Sequence, residues 1–128
     1  MLDSFAVLAL LYGEEGQDKV QAMLGRAADG DLALFMAAPN WAELRYVIER
    51  RSGPERWTEV RDKLLGLPME VIPADRALAE VAGGVKASRR LSLADAFAAA
   101  LAMEKNARLV TGDPEFECVE KEIRVLWL

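Results

Sequence analysis

Five short apolar runs, spaced along the whole chain, constrain what this sequence can fold into. They are the opening MLD, LALFMA, MEVIP, RLVT and the closing IRVLWL. Longer segments with apolar residues at helical spacing separate them. Unbroken apolar runs that alternate with helices are typical of a parallel sheet covered on both faces. The sequence therefore predicts an α/β fold, a three-layer sandwich with a central parallel sheet flanked by helices.

Six helices are predicted between these runs. The first begins after Asp3-Ser4 and ends at Gly13, and the third opens at Pro39-Asn40 and continues to Arg51. The sixth, LSLADAFAAALAMEKN, is apolar nearly all round, which indicates a buried helix. The others are QDKVQAMLGRAADG, GPERWTEVRDKLLGL and ADRALAEVAGGVKASRR, the last weakened by Gly83-Gly84, and a turn or short helix starts at Asp113.

Size and composition favour a single domain over residues 1–128. The chain is long enough to bury a core without disulfides or metal staples, and it shows no linker or repeat. Cys118 is its only cysteine, which suits a reducing compartment. No apolar stretch is long enough to span a membrane and no secretion signal opens the chain, so we expect a cytoplasmic protein without membrane contact. A net charge of −5 argues against a broad, non-specific nucleic-acid coat.

The absence of histidine limits the chemistry. A Ser-His-Asp relay, an imidazole base and a His-ligated zinc site are excluded for this chain acting alone. Catalysis therefore has to use carboxylates, hydroxyls, lysine or arginine side chains, or a bound hard cation.

Four acidic residues fall at strand ends or near helix starts. Asp3 and Asp113 end the first and fourth apolar runs, and Glu43 and Asp95 lie near the starts of the third and sixth helices. In open parallel sheets the ligand crevice lies outside the carboxyl ends of the strands. One turn after Asp95 come only alanines, so its carboxylate needs a partner in packed protein or in a cleft. We expect these acids to converge.

Each of these acids also has a purely structural interpretation. Asp113 precedes Pro114, which is typical of a helix start, and Asp3 can cap the first helix in the same way. The residue pattern alone leaves both interpretations open. The pairs with capping-box spacing, the second with a shorter acid than usual, are Asn40–Glu43 and Ser92–Asp95.

A pocket lined only by oxygen atoms favours a hard divalent cation. Mg²⁺ and Mn²⁺ take carboxylate ligands, keep several waters and bridge to phosphate oxygens. Such an ion lowers the pKa of a bound water and stabilises the charge that develops during in-line attack on phosphorus. The acids together therefore indicate metal-assisted phosphodiester hydrolysis.

Four segments, in this order, carry a resemblance to a known family. LDSFAVLALL, APNWAEL, LSLADAFAAALA and LVTGDPEF are similar to the PIN-domain nucleases, and within them to the VapC-like toxins of type II toxin–antitoxin pairs. The Asp-bearing, Ala-rich helix followed by a strand and Thr-Gly-Asp-x-x-Phe is the most specific part. The resemblance implies a PIN fold and a Mg²⁺- or Mn²⁺-dependent endoribonuclease that a cognate antitoxin silences.

Individual residues receive roles from the same resemblance. It implies a homodimer, for which the apolar early helices would supply a surface, and it implies more residues ahead of the first acid than the two found here. Phe5 stands where another small polar residue is usual. The implied catalytic and metal-binding cluster is Asp3, Glu43, Asp95 and Asp113, with Ser4 and Thr111 as supporting hydroxyls, and the early apolar residues are Tyr12, Val20, Met23 and Leu24.

Basic residues beside the acidic helices are candidates for binding RNA. Arg89 and Arg90 precede the sixth helix, and we predict that they bind phosphates beside the cut. Solvated helix faces explain such residues equally well when each is taken singly. Trp41 and Trp57 share helical spacing with Leu and Val, which favours a core or a dimer interface over base stacking. Further candidates on the third helix are Arg45, Arg50 and Arg51.

Three rival interpretations remain. A catalytically inactive PIN-fold module that binds RNA or protein would tolerate alanine at Asp95 or Asp113, yet both acids are present. A phosphoacceptor receiver-like domain is expected to carry an adjacent acidic pair after the first strand, whereas Ser4 follows Asp3. A phosphatase is expected to have a second aspartate two residues after Asp3, where Phe5 stands.

Overall fold

The computed structural model describes residues 1–128 and contains six α-helices, four strands and one 3₁₀-helix. The elements alternate along the chain as the apolar runs predict. They are α1 Ser4–Tyr12, α2 Gln17–Ala28, β1 Phe35–Ala37, α3 Ala38–Ser52, α4 Pro54–Leu65, β2 Glu70–Ile72, α5 Arg76–Ser88, α6 Leu93–Glu104, β3 Leu109–Thr111, the 3₁₀-helix Pro114–Val119 and β4 Val125–Trp127.

The opening residues join two pairs of strands into one sheet. β1 pairs with β2, and β3 pairs with β4, both in parallel. Between the pairs, the Leu2 amide donates to the Phe35 carbonyl and the Val110 amide donates to the Met1 carbonyl, each at 2.8 Å. Leu2 also forms a parallel bridge with Val110. The order across the sheet is therefore β2, β1, residues 1–3, β3 and β4.

Successive residues of these strands enter two separate cores. Neighbouring side chains of a strand point to opposite faces of a sheet, so membership of the two cores shows which helices cover which face. Helices therefore lie on both faces, and the predicted three-layer sandwich is confirmed. The core under α5 and α6 contains Met1, Ala37 and Leu109, and the core under α1 to α4 contains Leu2, Met36 and Val110.

Helix α6 is the most deeply buried of the six. All eight residues from Asp95 to Ala102 are buried, and five of them are alanine. Alanine combines high helix propensity with little bulk, so α6 lies close to the sheet and to α5. The prediction of a buried helix, made from its lack of a polar face, is confirmed.

The start of α3 differs from the prediction. The helix begins at Ala38, after Ala37 in extended backbone, and Pro39 lies in its first turn. Asn40 is consequently inside the helix and fully buried rather than at its cap. The capping-box interpretation of Asn40 and Glu43 is wrong, because Pro39 can occupy the first turn without losing a needed hydrogen bond and the helix starts before it.

No helix of the structure has both the length and the apolar character that crossing a membrane requires.

Replacing Ala99 with leucine tests how tightly α6 packs. Ala99 has no exposed surface, so a larger side chain must displace its neighbours, and we expect the free energy of unfolding to fall by about 1–3 kcal/mol. Urea unfolding followed by circular dichroism measures the loss. The matched control is Ala79→Leu on the exposed side of α5, which should change it by less than about 0.5 kcal/mol. Equal losses in the two variants would contradict tight packing of α6.

Candidate active site

A cleft of about 270 Å³ opens where residues 1–3 and β3 end. The first segment ends at Asp3 and β3 ends at Thr111, so the cleft lies at the carboxyl ends of adjacent parallel strands, with α3 and α6 contributing to its walls. This is the position predicted for a ligand crevice in an open parallel sheet. The predicted residues that line it are Asp3, Ser4, Glu43, Asp95 and Asp113.

Asp3 is both a helix cap and the deepest acid of the cleft. Its Oδ1 accepts from the Ala6 amide at 2.8 Å, which satisfies a donor in the first turn of α1. Only 1% of the residue is exposed. Its place at the end of the central segment of the sheet follows from the backbone pairing of Met1 and Leu2 with the flanking strands.

Asp95 also serves two purposes. It forms a capping box with Ser92: the Ser92 hydroxyl accepts from the Asp95 amide at 3.1 Å, and Asp95 Oδ2 accepts from the Ser92 amide at 3.2 Å. The predicted capping role of this pair is confirmed. The residue is nonetheless 9% exposed and lines the cleft, so capping holds the carboxylate in place at the cleft wall.

Asp113 is fixed by a tight turn at the end of β3. Its amide donates to the Thr111 hydroxyl at 2.9 Å, and its Oδ1 accepts from the Glu115 amide at 2.9 Å at the start of the 3₁₀-helix. Thr111 is fully buried and Asp113 is half-buried. Asp113 therefore caps the 3₁₀-helix and also lines the cleft, with Thr111 holding the turn; the catalytic role of Asp113 and the supporting role of Thr111 stay predictions.

Glu43 lies in the second turn of α3 and is held from outside the cleft. The Tyr46 hydroxyl donates to Glu43 Oε1 at 2.9 Å. This hydrogen bond is the main reason that the pKa of Tyr46 is raised above its usual value, since loss of the proton would leave two negative groups in contact. Tyr46 was not singled out from the sequence; its spacing of three residues from an acid on one helix face is the signal that was available.

Ser4 ties α1 to α3 beneath the acids. Its hydroxyl donates to the Asn40 carbonyl at 3.2 Å and accepts from Asn40 Nδ2 at 3.3 Å. Both residues are buried, and Asn40 Oδ1 has no hydrogen-bond partner. The sequence held a signal for this contact, because Asn40 is in register with Leu44 and Ile48, the buried residues one and two turns later.

No lysine or arginine forms an ion pair with the acids of the cleft, and the one cation that acts on Asp3 is the partly buried N-terminal ammonium of Met1. Burial is the largest cause that raises the pKa of Asp3 to about 7; the Thr111 hydroxyl and the Ala6 amide oppose the rise, and the charges of Asp95 and Asp113 add to it. The pKa of Asp95 is raised as well, first by burial, against its hydrogen bonds with Ser92 and with smaller contributions from Glu43 and Asp113. The five ion pairs of the structure involve none of these four acids; they are Arg45–Glu49, Arg56–Glu59, Arg61–Asp62, Arg89–Glu122 and Lys105–Glu104.

The donor chemistry of the cleft fits a hard divalent cation. Its five acids, the four predicted ones and Glu115, offer carboxylate oxygens only, with no histidine or cysteine in the lining. Glu115 was not among the residues predicted from the sequence. No three of the side chains are arranged so that one ion would contact all of them. Glu43 is held by Tyr46 and Asp113 by the Glu115 amide, which keeps these oxygens spread around the cleft.

Arg89 and Arg90 do not line the cleft. The Arg89 guanidinium pairs with Glu122 and donates to the Cys118 carbonyl, so it fastens the end of α5 to the 3₁₀-helix region. Arg90 is exposed beside it. Glu122 is close to Arg89 in space but 33 residues away in sequence, so the helix pattern could not predict this pairing.

Trp41 and Trp57 pack together as the helical spacing predicts. Their rings meet edge to face with centroids 5.6 Å apart, and Trp57 is buried. This contact joins α3 to α4 in the core, away from the acids.

Phe5 forms one rim of the cleft and rests on Gly112. The ring lines the cleft while 38% of the residue stays exposed. A Cβ on Gly112 would overlap the Phe5 ring, so the glycine between Thr111 and Asp113 is needed for the close approach of a side chain. The aromatic ring is thereby fixed beside the acids.

The fold and this cleft define a class of α/β proteins that gather acidic side chains at the carboxyl ends of a parallel sheet. The family model described as PIN domain matches residues 1–122, and the chain belongs to this family. Ribonuclease VapC42 from Mycobacterium tuberculosis is 31% identical over 123 residues, which cover 89% of this chain and 86% of the relative. A VapC ribonuclease from Mycobacterium bovis matches equally well.

Solved structures share the fold at lower identity. VapBC2 from Rickettsia felis, bound to a DNA fragment from its promoter, has a TM-score of 0.76 and 20% identity and covers 98% of this chain and 96% of the other. FitAcB from Neisseria gonorrhoeae has a TM-score of 0.68 and 18% identity, with 98% and 94% covered. These likenesses confirm the PIN fold.

Stability should fall as Asp3 ionises. A carboxyl group with a pKa of 3.8 when unfolded and about 7 when folded favours the folded state fully below about pH 4, and this contribution is lost as the pH rises through 7, which amounts to at most roughly 4 kcal/mol. Asp3→Asn keeps an oxygen for the Ala6 amide but cannot ionise. We expect it to be more stable than the wild type at pH 8 by about 1–3 kcal/mol, measured by urea unfolding in EDTA between pH 4 and 8.

The control for this measurement is Asp3→Ala. It removes the same charge and also the cap, so its curve should run parallel to that of Asp3→Asn and about 1 kcal/mol below it. If the free energy of unfolding of the wild type ran parallel to that of Asp3→Asn from pH 4 to 8, burying the ionised carboxylate of Asp3 would cost little and the prediction would be wrong.

Gly112→Ala should disturb the cleft through Phe5. The new methyl group overlaps the ring, and we expect a loss of about 1–3 kcal/mol in the free energy of unfolding. Adding Phe5→Ala should recover part of the loss, which a double-mutant cycle measures. Gly84→Ala within α5 meets no atom within 4 Å and should stabilise the protein by about 0.5–1 kcal/mol. Additive effects of the changes at positions 5 and 112 would contradict the contact.

Proposed function

We propose that this chain is a Mg²⁺- or Mn²⁺-dependent endoribonuclease that hydrolyses RNA phosphodiester bonds and is the toxin of a toxin–antitoxin pair. The observation that carries the proposal is the gathering of the four predicted carboxylates, with Glu115 as a fifth, in one cleft where no lysine or arginine pairs with the predicted four. Curated relatives at 31% identity are named ribonucleases. Keeping several acids close together is costly to the fold, and a bound divalent ion with its phosphate substrate removes that cost.

Asp3, Glu43, Asp95 and Asp113 are the residues that would hold the ion, part of them through the water molecules that such an ion keeps. When bound, such an ion activates a water and stabilises the charge on the phosphate during in-line attack. The remaining polar residues keep the acids in place. Thr111 fixes the turn that carries Asp113, and Ser4 fastens the start of α1, next to Asp3, to α3. Phe5 narrows the entrance without competing as a ligand.

The partners follow from the relatives. The solved structures with this fold include VapBC from Salmonella typhimurium bound to DNA and a toxin–antitoxin complex from Klebsiella pneumoniae. We propose that this chain also has a cognate antitoxin, that the antitoxin covers its cleft, and that the toxin acts in the cytoplasm, where RNA is available. For a homodimer, Tyr12 and Met23 remain half-buried on the early helices, whereas Val20 and Leu24 are buried in the chain's own core.

Family membership removes the receiver-like and phosphatase alternatives. No observation favours a catalytically inactive module, since all four acids line the cleft. Activity measurements on substituted proteins separate that alternative from the proposal.

Asp95→Asn and Asp113→Asn should each abolish RNA cleavage. Asparagine retains an oxygen for the capping bonds from Ser92 and Glu115 but is a poor ligand for a hard cation, so we expect rates to fall roughly 100-fold or more while the fold persists. Cleavage of total RNA in Mg²⁺ or Mn²⁺, with EDTA as the metal-free control, measures activity. Thermal unfolding of the same samples measures the fold.

The matched control is Glu117→Gln, an exposed acid on the 3₁₀-helix, which should cut RNA like the wild type. Full activity in either aspartate variant would overturn the catalytic assignment. A second contradicting outcome has two parts: both aspartate variants lose the fold, and EDTA does not affect cleavage by the wild type. Capping would then be the only role of Asp95 and Asp113.

A further inference from the structure

An acidic cleft repels the substrate that the proposed function requires. RNA carries a negative charge at every phosphate, and the chain as a whole has a net charge of −5. Cations close to the cleft must therefore hold the strand on each side of the bond to be cut. Arg89 is paired with Glu122, so arginines without an acidic partner are better suited to this role.

Arg50 and Arg51 are such residues, and both lie on α3 just beyond the cleft. Arg45 on α3, and Arg56 and Arg61 on α4, are each paired with an acid. Neither the Arg50 nor the Arg51 guanidinium forms a hydrogen bond or an ion pair with another residue. Instead, each lies over a tyrosine ring. The Arg50 guanidinium is 5.1 Å from the centroid of Tyr46, and the Arg51 guanidinium is 4.0 Å from the centroid of Tyr12.

The Arg50 pair is connected directly to the acids. The ring of Tyr46 supports Arg50, and the hydroxyl of the same Tyr46 donates a hydrogen bond to Glu43 at the cleft wall. Glu43, Tyr46 and Arg50 follow one another at intervals of three and four residues, so they lie along one face of α3. A strand that leaves the cleft along this face meets Arg50 about two helical turns from Glu43.

The Arg51 pair continues the other side of the same surface. Val47 on α3 and Leu8 on α1 both line the cleft. Arg51 and Tyr12 each lie one turn further along their helices, four residues after Val47 and Leu8 respectively, and they contact each other there. The seam between α1 and α3 thus runs from acids at one end to two guanidinium groups at the other.

Stacking on a tyrosine suits a guanidinium for binding phosphate. The ring attracts the cation and restricts its rotamers without using any N–H group, so all five donors stay available. The guanidinium groups and the tyrosine rings also offer flat surfaces on which unpaired bases can stack. Unpaired bases are present in single-stranded RNA and absent from a duplex. A carboxylate partner, as Arg45 has in Glu49, would occupy those donors.

We propose that Arg50 and Arg51, supported by Tyr46 and Tyr12, bind the phosphates of single-stranded RNA on one side of the cleaved bond. The inference rests on the proposed function, because it assigns the substrate path of the same cleft. It differs from the prediction for Arg89, whose guanidinium is paired with Glu122, while the prediction for Arg90 stands beside it.

Binding and cleavage of a short single-stranded RNA of mixed sequence test this path. In the doubly substituted Arg50→Gln/Arg51→Gln protein, we expect KM to rise roughly tenfold with kcat within about twofold. In a cleavage-deficient Asp113→Asn background, fluorescence anisotropy at several KCl concentrations should show a slope of log K against log salt that is shallower by about 1.4, the loss of two phosphate contacts on a single strand.

Two matched controls accompany these variants. Arg45→Gln removes a charge of the same kind from the same helix, but one already paired with Glu49, and should leave both KM and slope unchanged. Tyr12→Leu should raise KM while Tyr12→Phe, which keeps the ring, should restore it. A purely structural tyrosine would not produce this difference together with a change in salt slope.

The outcomes separate the two proposals. If the wild type neither binds nor cuts the RNA in Mg²⁺ or Mn²⁺, the proposed function fails, and the path fails with it. If the wild type cuts RNA and the double variant matches Arg45→Gln in KM and slope, the nuclease stands and the path is overturned, which leaves the two arginines to a protein partner. Equal loss with duplex RNA would overturn the single-strand assignment.

Discussion

The hydrogen bonds made by residues 1–3 are the constraint on which the rest of this structure depends. β1 with β2 and β3 with β4 form two separate parallel pairs, and only the opening residues bond to both. They also contribute Met1 to one core and Leu2 to the other, so both helical layers pack against them. Asp3 comes next in the chain, so that pairing places it in the cleft, where the charges of Asp95 and Asp113 act on it.

Local structure and the acidic cleft use the same atoms. Asp3, Asp95 and Asp113 each accept a backbone hydrogen bond at a helix start, and each lines the cleft. Capping restricts the carboxylates before any ligand arrives, which lowers the entropy lost on binding. The opposing cost is electrostatic, since burial and neighbouring charge raise the pKa of Asp3 and of Asp95. An electrostatic cost of this kind is typical of sites that exchange stability for activity, which agrees with the proposed function.

Much of this arrangement could be predicted from the sequence because it depends on local patterns. Apolar runs mark the strands, alanines mark the buried α6, and the acids at run ends mark the cleft. What escaped prediction involves contacts between distant residues. Asn40 was interpreted as a cap, whereas its partner Ser4 lies 36 residues away. Arg89 is a candidate for binding RNA because it precedes the helix of Asp95, and nothing in its own helix reveals its pairing with Glu122, 33 residues further on.

The burial of α6 has a mechanical consequence for the cleft. Asp95 stands on a helix whose own side chains, most of them alanine, are buried from Asp95 to Ala102. This wall is therefore stiff and cannot shift without disturbing the core. Glu43 stands opposite on a half-buried turn and is held by a single hydrogen bond from Tyr46, 46% of which is exposed. The cleft therefore has one rigid and one compliant wall. Under the proposed function, the cleft would adjust to a bound ion by movement on the α3 side, with the α6 side as the fixed wall.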